Sequence, residues 1–122
     1  MITEDYVSYE VAKLLKEKGF KGSFDGYYNN AGCVVDKPNV LLKEPKYQYY
    51  ERVPVYMATK WLRKIYSLEI YPYHDFPKVG DKWWFEIIKY PNTVAEYESE
   101  TAYNSYEDAC EAAIKYCLEN LI

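Results

Sequence analysis

The sequence is poor in the residue types that build catalytic and metal-binding sites. It has one histidine, His74, in 122 residues, and its three cysteines form no CxxC pair. Its five glycines make neither a GxGxxG nor a GxxxxGK[ST] phosphate-binding loop, and no GxSxG nucleophile motif is present. Because metal and nucleophilic sites draw on clusters of such groups, we expect no enzymatic activity, no metal ion and no cofactor.

The remaining candidates for such chemistry are weak. His74 precedes Asp75, but adjacent residues on a regular strand point to opposite faces, so we predict that they do not act as a general base and its carboxylate. Cys110 and Cys117 are spaced two helical turns apart, about 10 Å by the helical rise, which is too far for a disulfide. We predict that both cysteines are small buried apolar residues.

Long apolar runs and an excess of positive charge are also missing. No run approaches the roughly 18 apolar residues of a membrane span, and the first residues lack a signal-peptide profile, so we expect no membrane partner and a cytoplasmic location. The chain has 15 basic and 19 acidic residues, and residues 94–119 hold seven carboxylates and one lysine. Such a surface repels phosphate, which disfavours nucleic acid and favours a basic partner.

The composition suits one globular domain over residues 1–122, with 49% hydrophobic and 28% charged residues. Tyrosine is unusually abundant, with sixteen residues. A tyrosine ring is apolar and its hydroxyl is polar, so these side chains can close the rim of a core or form a contact surface. A small-ligand pocket lined by tyrosines is a third possibility.

Three helices are predicted from apolar spacing and capping residues. They cover residues 9–18 after Ser8, residues 55–66 after Pro54, and residues 106–121 after Ser105. On the middle helix the predicted apolar stripe consists of Met57, Ala58, Trp61, Leu62 and Ile65.

Three strands are predicted over residues 68–76, 82–90 and 94–101, the first at a sheet edge because it contains Pro72. A three-residue connection after the second strand, or an equivalent bulge, pairs Ile87 with Tyr97 and Ile88 with Glu96, which keeps glutamates out of the core. Residues 20–52 are predicted to be irregular, with short strands near 24–28 and 47–51. The expected fold class is α+β, an antiparallel sheet of three or more strands with about three helices mostly packed on one face.

The alternation along residues 82–90 predicts a candidate partner-binding surface. Trp83, Phe85 and Ile87 form an uncharged face that should contact the helices. The opposite face then carries the following candidates: Tyr71, Tyr73, Trp84, Ile88 and Tyr90. Glutamates 86, 96, 98 and 100 are expected on that face, which argues against base stacking and favours a protein partner or self-association. We also expect residues 20–52 to cover part of it.

A nucleic-acid-binding module is the alternative function. It would use the basic helix face of Lys60, Arg63 and Lys64 together with nearby aromatic rings. Three cations on one helix face are more often simply solvated, and the acidity of the second half of the chain opposes phosphate binding.

Three segments together resemble a known group of sequences. They are the opening ITEDYVSYEVAKLLKEKGF, the central MATKWLRKIY and the closing SYEDACEAAIKYCLENLI, over a third of the chain. They resemble an uncharacterised family of small proteins from phages and mobile elements of gut bacteria. The resemblance implies a phage or mobile-element setting and no established activity, so it transfers no functional residue. The leading hypothesis is a non-enzymatic protein-interaction or structural accessory domain.

Overall fold

The computed structural model describes residues 4–22, 26–35, 49–74, 82–92 and 94–122. These residues form three helices and two three-stranded antiparallel sheets, which confirms the predicted α+β class. The contacts divide the chain into an N-terminal unit, Met1–Pro54, and a C-terminal unit, Val55–Ile122. A single domain over residues 1–122, and the packing of most helices on one face, stay predictions.

The N-terminal unit begins with helix α1, Tyr9–Glu17. As predicted, Ser8 caps it, with its hydroxyl oxygen accepting a hydrogen bond from the Val11 N–H at 3.2 Å. The helix stops before Gly19, whose φ of +90° is a conformation that favours glycine. Its inner side, which includes Val11 and Leu15, is fully buried.

A small sheet completes this unit, with strands β1, Tyr27–Asn29, β2, Val34–Val35, and β3, Tyr49–Glu51, in the order β2-β1-β3. The predicted strands at 24–28 and 47–51 correspond to β1 and β3, although their first residues lie outside the described ranges. Strand β2 is not predicted from the sequence, because two residues are too few to show a period. The β1–β2 turn depends on Asn29, whose Oδ1 accepts hydrogen bonds from the Ala31 and Cys33 N–H groups at 2.9 and 3.0 Å.

The C-terminal unit opens with helix α2, Val55–Tyr66, at the predicted residues. Ala58 and Leu62, four positions apart, are fully buried. Ile65, which the sequence places in the same stripe, is 61% exposed, so the buried line along the helix is narrower than predicted. Ser67 follows at φ +59° and turns the chain directly into the second sheet.

The second sheet contains β4, Leu68–His74, β5, Trp83–Lys89, and β6, Ala95–Glu98, in the order β4-β5-β6. Among the described strands β4 is an edge strand, as Pro72 predicts. Residues 75 and 76 of the predicted strand, together with Thr93 of the predicted connection, lie outside the described ranges.

The register between β5 and β6 contains the predicted bulge. Ile87 pairs with Tyr97, as expected, but Ile88 pairs with Ala95 and not with Glu96. The extra residue on β6 is therefore Glu96, which is exposed and has no directly opposite neighbour. This position of the bulge keeps the carboxylate out of the core without any change in the Ile87 pair.

Pairing with β5 continues past the end of β6. Phe85 donates its N–H to the Ser99 hydroxyl at 3.0 Å, and its carbonyl accepts the Ser99 N–H at 2.9 Å. Trp83 and Tyr103 then exchange two backbone hydrogen bonds, at 2.8 and 2.7 Å. The predicted strand over 94–101 thus corresponds to β6 followed by an irregular continuation.

Helix α3, Tyr106–Tyr116, begins at Ser105, whose hydroxyl oxygen accepts a hydrogen bond from the Asp108 N–H at 3.0 Å, as the sequence predicts. A π-helical turn, Cys117–Leu121, replaces the last turn of the predicted α-helix. The helix covers the sheet face of Trp83, Phe85 and Ile87. In the described part of the chain, no helix has the length and apolar character needed to cross a membrane.

The first testable prediction concerns the cysteines. Cys110 and Cys117 are buried, as expected, and burial raises the pKa of their thiols to about 11 and about 12, whereas Cys33 is exposed. Because the thiolate is the reactive form, iodoacetamide at mildly alkaline pH should modify only Cys33 in the folded protein. Mass spectrometry should show one modified thiol before unfolding and three in denaturant. Rapid modification of Cys110 or Cys117 in the folded protein would contradict the buried positions.

Candidate interaction surface

The sheet face opposite α3 brings together the predicted aromatic residues. Directly opposed strand residues share a face, and Tyr73 lies opposite Trp84 while Tyr71 lies opposite Glu86. We call this side the outward face, and its members are Glu69, Tyr71 and Tyr73 of β4, Trp84, Glu86 and Ile88 of β5, and Glu98 of β6. The predicted alternation of side chains along β5 is therefore confirmed. Tyr71 and Tyr73 lie on the same face as Trp84 and Ile88.

The aromatic rings of the outward face remain accessible. Tyr71 and Tyr73 are each 42% exposed, and Trp84 and Ile88 are half-buried. A shallow depression, open to solvent, runs over Tyr71, Tyr73 and Ile88. A surface of this shape cannot enclose a small molecule, but its tyrosine and tryptophan rings are typical of protein contacts.

Tyr90 joins the surface through its hydroxyl. It is 53% exposed in the turn after β5, and its hydroxyl oxygen lies 3.4 Å from that of Tyr71. This hydrogen bond is the main cause that raises the pKa of Tyr71 above its usual value. The Tyr71 hydroxyl can donate a hydrogen bond as well as accept one.

Carboxylates dominate the charge of the outward face. Glu69 forms an ion pair with Arg63 of α2 at 3.3 Å. Glu86 and Glu98 lie directly opposite each other, an arrangement of like charges that destabilises a sheet. Among the described residues, no cation lies within salt-bridge distance of either. The face therefore has two adjacent carboxylates that a cation could neutralise.

The predicted set of four outward glutamates needs correction. Glu86 and Glu98 are on the face, but Glu96 is the bulge residue and Glu100 lies beyond the end of β6. The prediction assumed one regular strand whose alternate residues share a face. The bulge at Glu96 interrupts this alternation, so the residues on its two sides do not follow one pattern. The prediction also omitted Glu69 from the outward face. The ion pair between Glu69 and Arg63 could not be predicted, because it depends on how α2 lies beside β4.

The basic residues of the alternative hypothesis are exposed on α2, as predicted. Lys60, Arg63 and Lys64 all face solvent, but the Arg63 guanidinium binds Glu69. One of the three cations is thus partly neutralised within the unit, which lowers its contribution to phosphate binding.

His74 lies on β4 on the side of the sheet that α3 covers. It is half-buried, and its ring packs edge-on against Trp83 with 5.1 Å between ring centres. Asp75, which follows His74 in the sequence, lies outside the described ranges, so the prediction that the two do not act as a pair stays a prediction. Within those ranges, no three His, Cys, Asp or Glu side chains are grouped so that they could hold a metal ion.

No protein family, curated protein or solved structure matches the chain. The function must therefore be argued from the geometry of its own residues.

The second prediction tests the opposition of Glu86 and Glu98. Replacing Glu98 with Lys turns a repulsive cross-strand pair into an attractive one, so the free energy of unfolding should rise by about 0.5 kcal/mol at low salt. Urea denaturation measures this change, and added salt should reduce it because the pair is near the surface.

Glu96→Lys is the matched control, because it makes the same charge change on the same strand at a residue with no opposite partner. Equal stabilisation by both variants would show that only the net charge matters, and that Glu86 and Glu98 do not repel each other appreciably.

Proposed function

We propose that the chain is a non-enzymatic protein-interaction domain that binds a basic segment of a partner protein on its outward face. The observation that carries this proposal is the pair of opposed carboxylates, Glu86 and Glu98, beside accessible tyrosine and tryptophan rings. The rings of Tyr71 and Tyr73 are exposed and the two carboxylates repel each other, so the stability of the fold does not explain this arrangement.

Charge complementarity identifies the partner's chemistry. Lys and Arg side chains can pair with Glu86 and Glu98 and also pack over the rings of Tyr71, Tyr73 and Trp84. Residues 55–122 as a whole hold seven basic and eleven acidic residues, so long-range attraction favours the same partner. The Tyr71 and Tyr90 hydroxyls add hydrogen-bonding groups at one side of the face.

A nucleic-acid partner is the alternative, through Lys60, Arg63 and Lys64. It has less support, because Arg63 is engaged by Glu69 and the aromatic face carries carboxylates where base stacking needs cations. A second copy of the chain is a further possible occupant of the outward face. The phage or mobile-element setting and the cytoplasmic location stay predictions.

The third prediction is that a basic peptide binds the outward face. The probe is a tetra-arginine peptide with neutral ends, compared with a tetra-glutamate peptide of the same form. In an amide NMR titration, tetra-arginine should shift the signals of Tyr71, Tyr73, Trp84 and Glu98, and tetra-glutamate should not. Glu98→Lys should weaken the binding about fivefold, whereas Glu96→Lys should change it little.

Two outcomes would overturn the proposal, and a third would remove Trp84 from the binding surface. Shifts centred on Lys60 and Lys64 with a single-stranded oligonucleotide, lost steeply as salt rises, would establish the nucleic-acid alternative. A dimer in sedimentation that Trp84→Ala dissociates would show that a second copy covers the face. A Trp84→Ala variant with a melting temperature lowered by several degrees and unchanged peptide binding would show that Trp84 only supports the core.

A further inference from the structure

The N-terminal unit contains a cavity of about 340 Å³ between α1 and its sheet. This volume lies within the range of small-molecule sites. Since a water molecule takes up about 30 Å³ in the liquid, the cavity has room for a body of about ten non-hydrogen atoms. A small organic molecule therefore fits it.

The inner part of the lining is apolar. Its buried side chains are those of Ala12, Leu15, Phe20 and Val53. The half-buried rings of two tyrosines, Tyr27 and Tyr49, complete the walls. Because transfer of apolar surface from water to such a lining is favourable, the ligand should have an apolar body.

The solvent side of the cavity carries positive charge. Lys16 and Lys21 line it, and both are exposed. The Lys16 ammonium is held in place, since Nζ donates to the Tyr49 carbonyl at 3.1 Å and lies 4.9 Å from the centre of the Tyr50 ring. An ammonium group has three donors, so Lys16 keeps two for a ligand. Among the described residues, the Lys21 ammonium has no salt-bridge partner.

Glu51 also lines the cavity, but it offers no acceptor to a ligand. Its Oε2 is inaccessible to solvent, and the carboxyl group already accepts a hydrogen bond from the Gly22 backbone. Desolvation raises the pKa of Glu51 above its usual value, which disfavours the charged form. The lining thus has two cations that a ligand can reach from solvent, and one acid that offsets no more than one of them.

We propose that this cavity binds a small molecule with an apolar body and one carboxylate group. The body would lie among the buried apolar side chains, and the carboxylate would accept hydrogen bonds from the Lys16 and Lys21 ammonium groups. A single negative charge matches the excess of one cation over Glu51. The inference concerns the N-terminal unit and does not depend on the function proposed for the outward face.

The fourth prediction tests the ligand class with three probes of one shape. Hydrocinnamate, hydrocinnamide and phenylpropylamine share a phenyl group on a short chain and end in a negative, a neutral and a positive group. In an amide NMR titration at neutral pH, hydrocinnamate should shift the signals of Leu15 and Tyr49. It should bind about tenfold more tightly than hydrocinnamide, because charge-assisted hydrogen bonds are the stronger ones, and phenylpropylamine should bind most weakly.

Two further measurements separate the carboxylate from the apolar body. Added salt should reduce the preference for hydrocinnamate over hydrocinnamide, because the ammonium groups are exposed. Acetate, which has the carboxylate but almost no apolar body, should give no saturable shift over the same concentrations. The absence of saturable shifts with hydrocinnamate would overturn the proposal, as would equal affinity for hydrocinnamate and hydrocinnamide.

Lys16→Met keeps the apolar stem of the side chain and removes the ammonium group. In this variant the preference for hydrocinnamate should fall severalfold, while hydrocinnamide binds as before. Lys13→Met is the matched control, since Lys13 lies on the same helix outside the cavity and its Nζ also lies over a tyrosine ring, 5.3 Å from the centre of Tyr9. An equal loss in both variants would show that only net charge matters, which would contradict the proposed site.

If Lys16→Met does not fold, Lys21→Met replaces it, because Lys21 is exposed and lies outside α1. The preference for hydrocinnamate should fall in this variant as well. An unchanged preference in a folded Lys21→Met protein would remove Lys21 from the site and contradict the proposed pair of lysines.

The fifth prediction concerns the orientation of the bound molecule. Nuclear Overhauser effects should join the phenyl protons of hydrocinnamate to the methyl groups of Leu15 and Val53, which are buried. The methylene protons beside the carboxylate should instead show contacts with the Lys16 side chain, which is exposed. The reverse pattern, with the phenyl ring at Lys16 and the carboxylate end at Val53, would overturn the assignment of the two ends of the cavity.

Discussion

The pairing of Ile87 with Tyr97 is the contact on which the C-terminal unit depends. Tyr97 stacks on Tyr116 of α3, with ring centres 3.6 Å apart and ring planes within 11°, so the residue opposite Ile87 also fixes the helix to the sheet. A shift of β6 by one residue would place a glutamate opposite Ile87 and against α3, which costs several kcal/mol for a carboxylate without a partner. The same register determines which residues face outward, because side chains alternate along β5.

The sequence predicts this arrangement well where a period is long enough to read. Helix α2 has its predicted bounds, both cap residues are confirmed, and alternation along β5 separates Trp84 from Phe85 correctly. The position of the bulge could not be predicted in this way. Whether the extra residue is Glu96 or a neighbour depends on how β6 pairs with β5 in the folded sheet. Short strands such as Val34–Val35 give no period at all, and the pairing of Arg63 with Glu69 joins residues whose proximity only the fold creates.

The two units place carboxylates in opposite environments. On the outward face Glu86 and Glu98 stay near water, where their repulsion is modest and screened by salt. In the N-terminal unit Oε2 of Glu51 is inaccessible to solvent, and desolvation raises the pKa of its carboxyl group. An exposed acidic pair can therefore bind a cationic partner from solution, whereas a buried carboxylate oxygen cannot. Reading the sequence for acidic residues alone could not separate these cases, because it does not show burial.

The form of the second sheet also bears on how a protein partner could bind it. A peptide can extend a sheet by pairing with an edge strand, but this needs a row of free backbone donors and acceptors. On β4 the ring of Pro72 removes one donor in the middle of the strand, and β6 has only four residues and contains the bulge at Glu96. Both edges of the described sheet are thus poor templates for strand addition. Since Tyr71, Tyr73 and Trp84 project from the sheet and not along its plane, contact through side chains on the outward face is the mode of binding that remains favourable.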